Sequence, residues 1–306
     1  MSGQQFARAL VMPNTAPPIF TGVEASRYRA EIARAGTSLT PLLSIYLTSP
    51  MPTQIIRDAR EHGVVAAKLY PAGATVNSQN GVRDIESLVP AFEAMAELGM
   101  VLCVHGEDPE KPVLERERCF LDWIEWITRV QPDLKIVLEH ISSAEAVECV
   151  LAQSDNVAAT ITTHHLVLTL DDVLGSGLRP HSYCKPIPKD GRDRNALRDA
   201  ATSGHPRFFF GSDSAPHPKS AKESADAPPG IFSSPVALPL LATIFEEMGR
   251  LDRLEDFTSR FGAAFYGLPL TEERLVFVRE EWTVPERYGP FVPFLAGQTL
   301  PWRVAE

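Results

Sequence analysis

Cysteine is scarce in this sequence and scattered. Cys103, Cys119, Cys149 and Cys184 are the four among 306 residues, and no two form a Cys-x-x-Cys pair. That spacing argues against a thiolate zinc knot or a disulfide framework and for reduced, intracellular thiols. Positive charge is also in short supply, with 29 Lys and Arg against 39 Asp and Glu, a net charge of −10. No basic cluster is available to track a phosphate backbone, so neither nucleic acid nor an anionic membrane surface is expected as a partner. Long apolar runs are missing too. The stretch 235–245 is among the longest and is far too short to span a bilayer. Residues 1–20 lack the charged start, apolar stretch and small-residue cleavage site of a signal peptide, which places the expected location in the cytoplasm. There is no repeat, no low-complexity linker and no Gly-x-Gly-x-x-Gly after any strand-like run, which removes the main sequence signal for a dinucleotide fold.

What is present is alternation. Short apolar segments at 9–13, 41–48, 64–70, 100–105, 135–140, 157–163 and 207–211 read as strands. Amphipathic helical patterns at 22–35, 52–62, 85–98, 116–130 and 143–153 lie between them. Near-continuously apolar strands alternating with helices imply a parallel sheet covered on both faces. A closed (β/α) barrel has eight strands and carries its chemistry at their C-terminal ends. Seven are readable here, the first within ten residues of Met1. The expected fold is therefore an α/β, TIM-type (β/α)8 barrel with the first strand missing. A single domain over 1–306 is expected, with barrel units to about residue 250, a helix at 254–265 and a tail rich in Pro, Gly and aromatics wrapping the barrel.

The strand ends carry the chemistry. The run 100–104 ends in His105-Gly106-Glu107, 135–138 in Glu139-His140, and 157–163 in His164-His165. Phe208–Phe210 leads into Gly211-Ser212-Asp213-Ser214-Ala215-Pro216-His217, and 64–67 ends at Lys68. One histidine at a strand end is more often a core hydrogen bonder than a ligand, but five strands delivering such groups to one rim is a constellation. Imidazoles with a carboxylate favour zinc or a similar divalent ion. A metal-bound hydroxide attacks carbonyls at neutral pH, and Asp213 is placed to shuttle its proton. Lys68 fits such a site only if altered, because an ammonium repels a cation. Carbon dioxide converts the amine to a carbamate whose two oxygens can bridge two metals, and burial favours the reactive neutral amine.

The sequence resembles the single-function bacterial (class II) dihydroorotases of the amidohydrolase superfamily. The resemblance runs through VMPNTAPP (11–18), AAKLYPAGAT (66–75), VHGE (104–107), LEHI (138–141), AATITTHHL (158–166), RPHSYCKP (179–186), GSDSAPH (211–217) and VPFLAGQT (292–299). It implies a barrel of the metal-dependent hydrolase kind, a small-molecule substrate and the zinc-dependent interconversion of N-carbamoyl-L-aspartate and (S)-dihydroorotate in pyrimidine synthesis. It also implies two Zn2+ per subunit and a homodimer. Carried over residue by residue, it makes Lys68 the carboxylated bridging ligand, places His105 and His140 on the second metal, and makes Asp213 both a ligand of the first metal and the proton shuttle. Asn14 and His217 would meet the substrate carboxylate, Thr75 would sit on a mobile loop, and Lys185 and Pro229 would contribute backbone contacts. His164, His165 and His181 are expected to be structural.

Two features depart from the family pattern. Where members often carry two adjacent threonines on the loop, the second is Val76 here. The family also opens with a strand bearing His-x-His and an arginine, about 25 residues before the MPN motif. The eight histidines of this sequence contain no His-x-His. Little or no activity is expected of these 306 residues alone, together with poor folding, because an open sheet exposes strand edges. Three readings fit: an enzyme whose start lies upstream, a non-catalytic dihydroorotase-like partner, or another cyclic-amide hydrolase of the hydantoinase or allantoinase type.

Overall fold

The computed structural model describes residues 2–305. Among them, seven parallel strands follow chain order across one sheet: β1 Arg8–Val11, β2 Thr40–Tyr46, β3 Ala66–Leu69, β4 Val101–Val104, β5 Ile136–Leu138, β6 Val157–Ile161 and β7 Phe208–Phe210. All seven strands read from the sequence are there, each ending before its apolar run does, with β1 and β2 starting one residue earlier. This is the βα order of a TIM-type barrel, with seven strands among the described residues where a closed barrel has eight.

The chain divides into two compact units. The first comprises Phe6–Glu139 and Glu148–Ala158. Within it β3 pairs with β2 (Tyr46↔Lys68) and with β4 (Lys68↔Cys103, Leu69↔Val104), which fixes the register of the lysine. Every residue of β3 and β4 is buried, whereas β1 at the sheet margin is only half-buried along its length. The helix Gly22–Arg34 starts at a reciprocal capping box between Thr21 and Glu24. Helix Arg116–Val130 turns Phe120, Leu121, Ile124 and Ile127 inward at helical spacing.

The second unit comprises a stretch ending at Gln5, His140–Val147 and the chain from Ala159 onward. Here β6 pairs with β7 through Ala159↔Phe208, Thr160↔Phe209 and Ile161↔Phe210. Several helices of this unit were not read from the sequence, the two longest being Gly191–Thr202 and Ala237–Glu247. Gly191–Thr202 is strongly charged, and its start is set by a capping box from Asp190 to Asp193. Ala237–Glu247 is nearly all buried, so its apolar run has no helical period to reveal it. The helix expected at 254–265 is a π-helical turn, Asp256–Arg260, continuing into an α-helix, Phe261–Phe265. The tail forms two short antiparallel ribbons, Trp282–Thr283 with Thr299–Leu300 and Phe277–Val278 with Arg303–Val304. Among the described residues, no helix is long and apolar enough to cross a membrane.

Candidate active site

In the first unit Lys68 stands at the third position of β3 and is 1% exposed. Its Nζ lies 5.2 Å from the centroid of the Tyr70 ring, a cation–π distance. Tyr70 stacks against Tyr46 at 5.0 Å and approaches His105 at 6.2 Å. Burial pushes the Tyr46 hydroxyl up to about 12. The Tyr70 hydroxyl donates to Asn14 Oδ1 at 2.9 Å, and Asn14 Nδ2 donates to the Val76 carbonyl at 3.2 Å. Lys68, Tyr70, Asn14 and the loop after β3 are therefore one connected group. Thr75 is held on that loop by Ser78, whose Oγ accepts from the Thr75 amide at 2.9 Å and donates to its carbonyl at 2.6 Å.

His105 follows β4 directly, its amide bonded to the Leu69 carbonyl at 2.9 Å. Its Nε2 donates to Glu107 Oε2 at 2.8 Å, both side chains being almost wholly buried. With Glu107 ionised, its carboxylate can only accept, which puts a ring proton on Nε2 and makes Nδ1 the nitrogen for a metal. This carboxylate–imidazole pair is the arrangement that orients a metal-binding histidine and raises its basicity. The donor set of this unit thus fits a divalent ion bound through His105 Nδ1. Glu107→Gln is expected to weaken zinc affinity by about 10–100-fold with little change in folding. Competition against a chromophoric chelator measures it, and an unchanged affinity would show that Glu107 does not tune the ligand.

In the second unit His140 sits at φ 45° and Asp213 at φ 37°. Side chains other than glycine rarely adopt this left-handed region, and they concentrate there at functional sites. Thr160 of β6 explains both turns. Its Oγ1 accepts the His140 amide at 2.6 Å and its carbonyl accepts the Ile141 amide at 3.0 Å. A Cβ at Gly211 would lie 2.7 Å from Thr160 Cβ, so only glycine can open the Asp213 turn there. The turn is tied down further by Ser233 Oγ to the Ser212 carbonyl at 3.0 Å and by the Ala215 amide to the Ile231 carbonyl at 3.0 Å. His217 is shifted below the usual histidine range by burial and by the nearby Lys222 charge, partly offset by its hydrogen bond to the Pro229 carbonyl.

His164, His165 and Cys184 are buried and have donor atoms within 4.8 Å of one another. His165 is already engaged at both ring nitrogens, by Thr162 Oγ1 at 2.9 Å and the Pro186 carbonyl at 2.9 Å. Cys184 Sγ also points at the Pro186 carbonyl, at 3.4 Å. This is a hydrogen-bonded knot that pins the segment after Lys185. His164 is fully buried beside His165 and Phe294, and burial holds it well below the usual histidine range. A histidine kept neutral when folded binds fewer protons than its unfolded counterpart, so stability is whole above about pH 6.5 and falls as pH drops below it. His164→Leu is expected to flatten the acid limb of stability between pH 6.5 and 5 by up to about 1.4 kcal/mol per pH unit. Urea titrations at stepped pH read this directly, and parallel limbs in parent and variant would exclude it.

The fold, with histidines and carboxylates at its strand ends, is of the TIM-type barrel class, which carries its chemistry at those ends. An L-hydantoinase of Arthrobacter aurescens shares the fold, at TM-score 0.84 and 19% identity over 99% of this chain and 76% of that one. The particular family follows from closer relatives. Dihydroorotases of Marinomonas sp. and Pseudoalteromonas atlantica are 47% and 48% identical over 98% of this chain, covering 90% and 91% of their own lengths. The Saccharomyces cerevisiae dihydroorotase, solved in complex with 5-fluoroorotic acid, superposes at TM-score 0.92 with 36% identity, covering 99% of this chain and 90% of that one. No protein-family model matches the sequence. The chain belongs to the dihydroorotase family.

Sequence reasoning named Lys68, His105, His140 and Asp213 as candidates but not the residues that hold the backbone around the candidate site. Glu107 had a local signal, standing two residues after a strand-end histidine. Thr160 and Lys222 had none, because each acts on segments tens of residues away.

Proposed function

We propose that the chain interconverts N-carbamoyl-L-aspartate and (S)-dihydroorotate, the ring-closing step on the way to the pyrimidine ring. Membership of the dihydroorotase family over nearly the whole sequence carries this reading. The proposed metal ligands are Lys68 as its carbamate, His105, His140 and Asp213. Zinc, when bound, supplies the Lewis acid that polarises the amide carbonyl and makes a water reactive at neutral pH. Everything else falls to the chain's own groups. Asp213 takes the proton from the attacking water and returns it to the ring nitrogen as the amide opens, the sequence reversing for ring closure. Asn14 is oriented for the substrate carboxylate by the Tyr70 hydroxyl. His217 is the other carboxylate contact. Because it gives one ring N–H to the Pro229 carbonyl, it can offer a second only as imidazolium, so the substrate's negative charge must offset the depression by burial and Lys222. Thr75 and the backbones of Lys185 and Pro229 complete the substrate contacts.

These 306 residues contain no His-x-His, so they supply an incomplete ligand set for the first metal and are expected to turn over weakly. Ring opening of dihydroorotate by the zinc- and bicarbonate-loaded chain, beside hydantoin and allantoin as competitors, tests the assignment. Preference for hydantoin would replace it with the hydantoinase reading, and binding without any turnover would favour the non-catalytic partner.

A further inference from the structure

We propose that Lys222 is the positioning residue of the substrate-carboxylate pocket: its ammonium gathers the carbonyls of Tyr183, Pro228 and Gly230 and so sets the backbone at Lys185 and Pro229. The substrate half of this inference rests on the reaction proposed above. Lys222 Nζ donates to Tyr183 O at 3.0 Å, to Pro228 O at 2.9 Å and to Gly230 O at 2.8 Å. An ammonium has three N–H donors and no acceptor, so three converging carbonyls satisfy it completely. The side chain is 2% exposed, and bonds to a buried cation are shorter and stronger than neutral ones. Burial draws Lys222 down only to about 8, so the charged form with all three donors predominates at neutral pH.

The acceptors explain why a lysine is needed. Residues 228–230 read Pro-Pro-Gly, and two prolines in succession have no N–H with which to build a ladder. The Gly230 amide makes one bond, to the Tyr183 carbonyl at 2.9 Å. The three consecutive carbonyls are taken by two side chains only: Pro228 and Gly230 by Lys222, and Pro229 by His217. The one-turn helix Lys219–Lys222 follows His217 by a single proline, so the two side chains that hold these carbonyls are five residues apart in the chain. Gly230 itself has φ 144°, and a Cβ there would lie 2.8 Å from Ala215 Cβ and 3.0 Å from His217 Cδ2. Only glycine therefore fits at this position, and Lys222 is the group at the centre of the segment. Pro229 lies between two clamped carbonyls, and Lys185 lies two residues beyond the third.

The test is calorimetric titration of dihydroorotate and of N-carbamoyl-L-aspartate into the zinc- and bicarbonate-loaded chain and its Lys222→Met variant. Methionine keeps length and volume while removing every donor. The expected result is a dissociation constant raised by about 10²-fold at unchanged stoichiometry, the loss that a displacement of about 1 Å in a positioning group produces. A purely structural role would instead lower the binding-competent fraction, and hence the stoichiometry, while leaving the dissociation constant of the remainder as in the parent. Hydrogen exchange at Gly230 is expected to rise in the variant while β3 and β4 stay protected. Lys222→Gln, which keeps two donors, replaces the methionine variant if that chain does not fold. Parent-like affinity in a folded variant, or unchanged exchange at Gly230, overturns the positioning role. A parent chain that binds neither ligand overturns the reaction assigned above and, with it, the substrate half of this proposal.

Discussion

Replacing Lys68 with methionine is expected to abolish zinc uptake while leaving the metal-free chain at least as stable as the parent. Lys68 is among the largest wholly buried side chains, on a strand whose four residues are all shielded from solvent. Its backbone register is fixed on both sides, by Tyr46 and by Cys103, so it cannot slide toward water. Burying an ammonium costs several kcal/mol of hydration, and exchanging buried charge for an apolar side chain of similar volume commonly stabilises a fold by about 1–4 kcal/mol. The proposed carbamate gives this lysine a use that offsets that cost. Reaction of its neutral amine with carbon dioxide forms an N–C bond, releases a proton and yields an anionic carbamate with two oxygens. Metal uptake by the parent should therefore depend on bicarbonate, and Lys68→Met should lose more than about 100-fold in affinity, beyond the effect of a residue that merely orients a ligand. In Lys68→Ala, where space is opened, a short carboxylate such as propionate is expected to restore part of the uptake. Metal analysis after gel filtration decides the matter. Parent-level zinc in Lys68→Met, or uptake indifferent to bicarbonate, would falsify the carbamate assignment.

The fold was legible wherever side chains report on local geometry. The seven strands are short apolar runs, six of them with β-branched residues and the last a run of three phenylalanines, and all were readable, as were the five amphipathic helices between them. Helix Ala237–Glu247 was not, since burial on every side erases the contrast between faces that periodicity needs. The candidate site divides along the same line. Lys68, His105, His140 and Asp213 stand out because a titratable group at the end of an apolar strand conflicts with its surroundings. Thr160 and Lys222 conflict with nothing in sequence. A threonine in a strand and a lysine in a polar loop are ordinary, and their roles arise from bonds to His140, Tyr183 and Gly230, which lie 20, 39 and 8 residues away. Backbone strain was equally invisible. Of the four described non-glycine residues at positive φ, His140 and Asp213 are sequence-assigned site residues and Asn77 stands on the loop of Thr75.

Asp213 offers the second large effect, because its conformation and its chemistry can be separated. At φ 37° an L-residue pays a steric cost that asparagine and aspartate bear better than alanine, since a short polar side chain can bond locally there. Asp213→Asn therefore keeps the shape and the left-handed preference and removes only the carboxylate. Asp213→Ala removes both. Stability is expected to be near the parent's in the asparagine variant and about 1–2 kcal/mol lower in the alanine variant, the ordinary cost of a left-handed residue with a Cβ. Turnover should follow a different order, falling by about 10²–10⁴-fold in both, the contribution of a positioned general acid–base. The contrast matters because the Asp213 turn is braced by Gly211, Ser233 and the Ala215 amide, so a loss of activity caused by turn collapse would appear in alanine and spare asparagine. Urea denaturation of both variants, beside ring opening of dihydroorotate followed at high enzyme concentration, separates the two causes. Parent-level turnover in Asp213→Asn would remove Asp213 from the proton path and leave it as a conformational element of the turn.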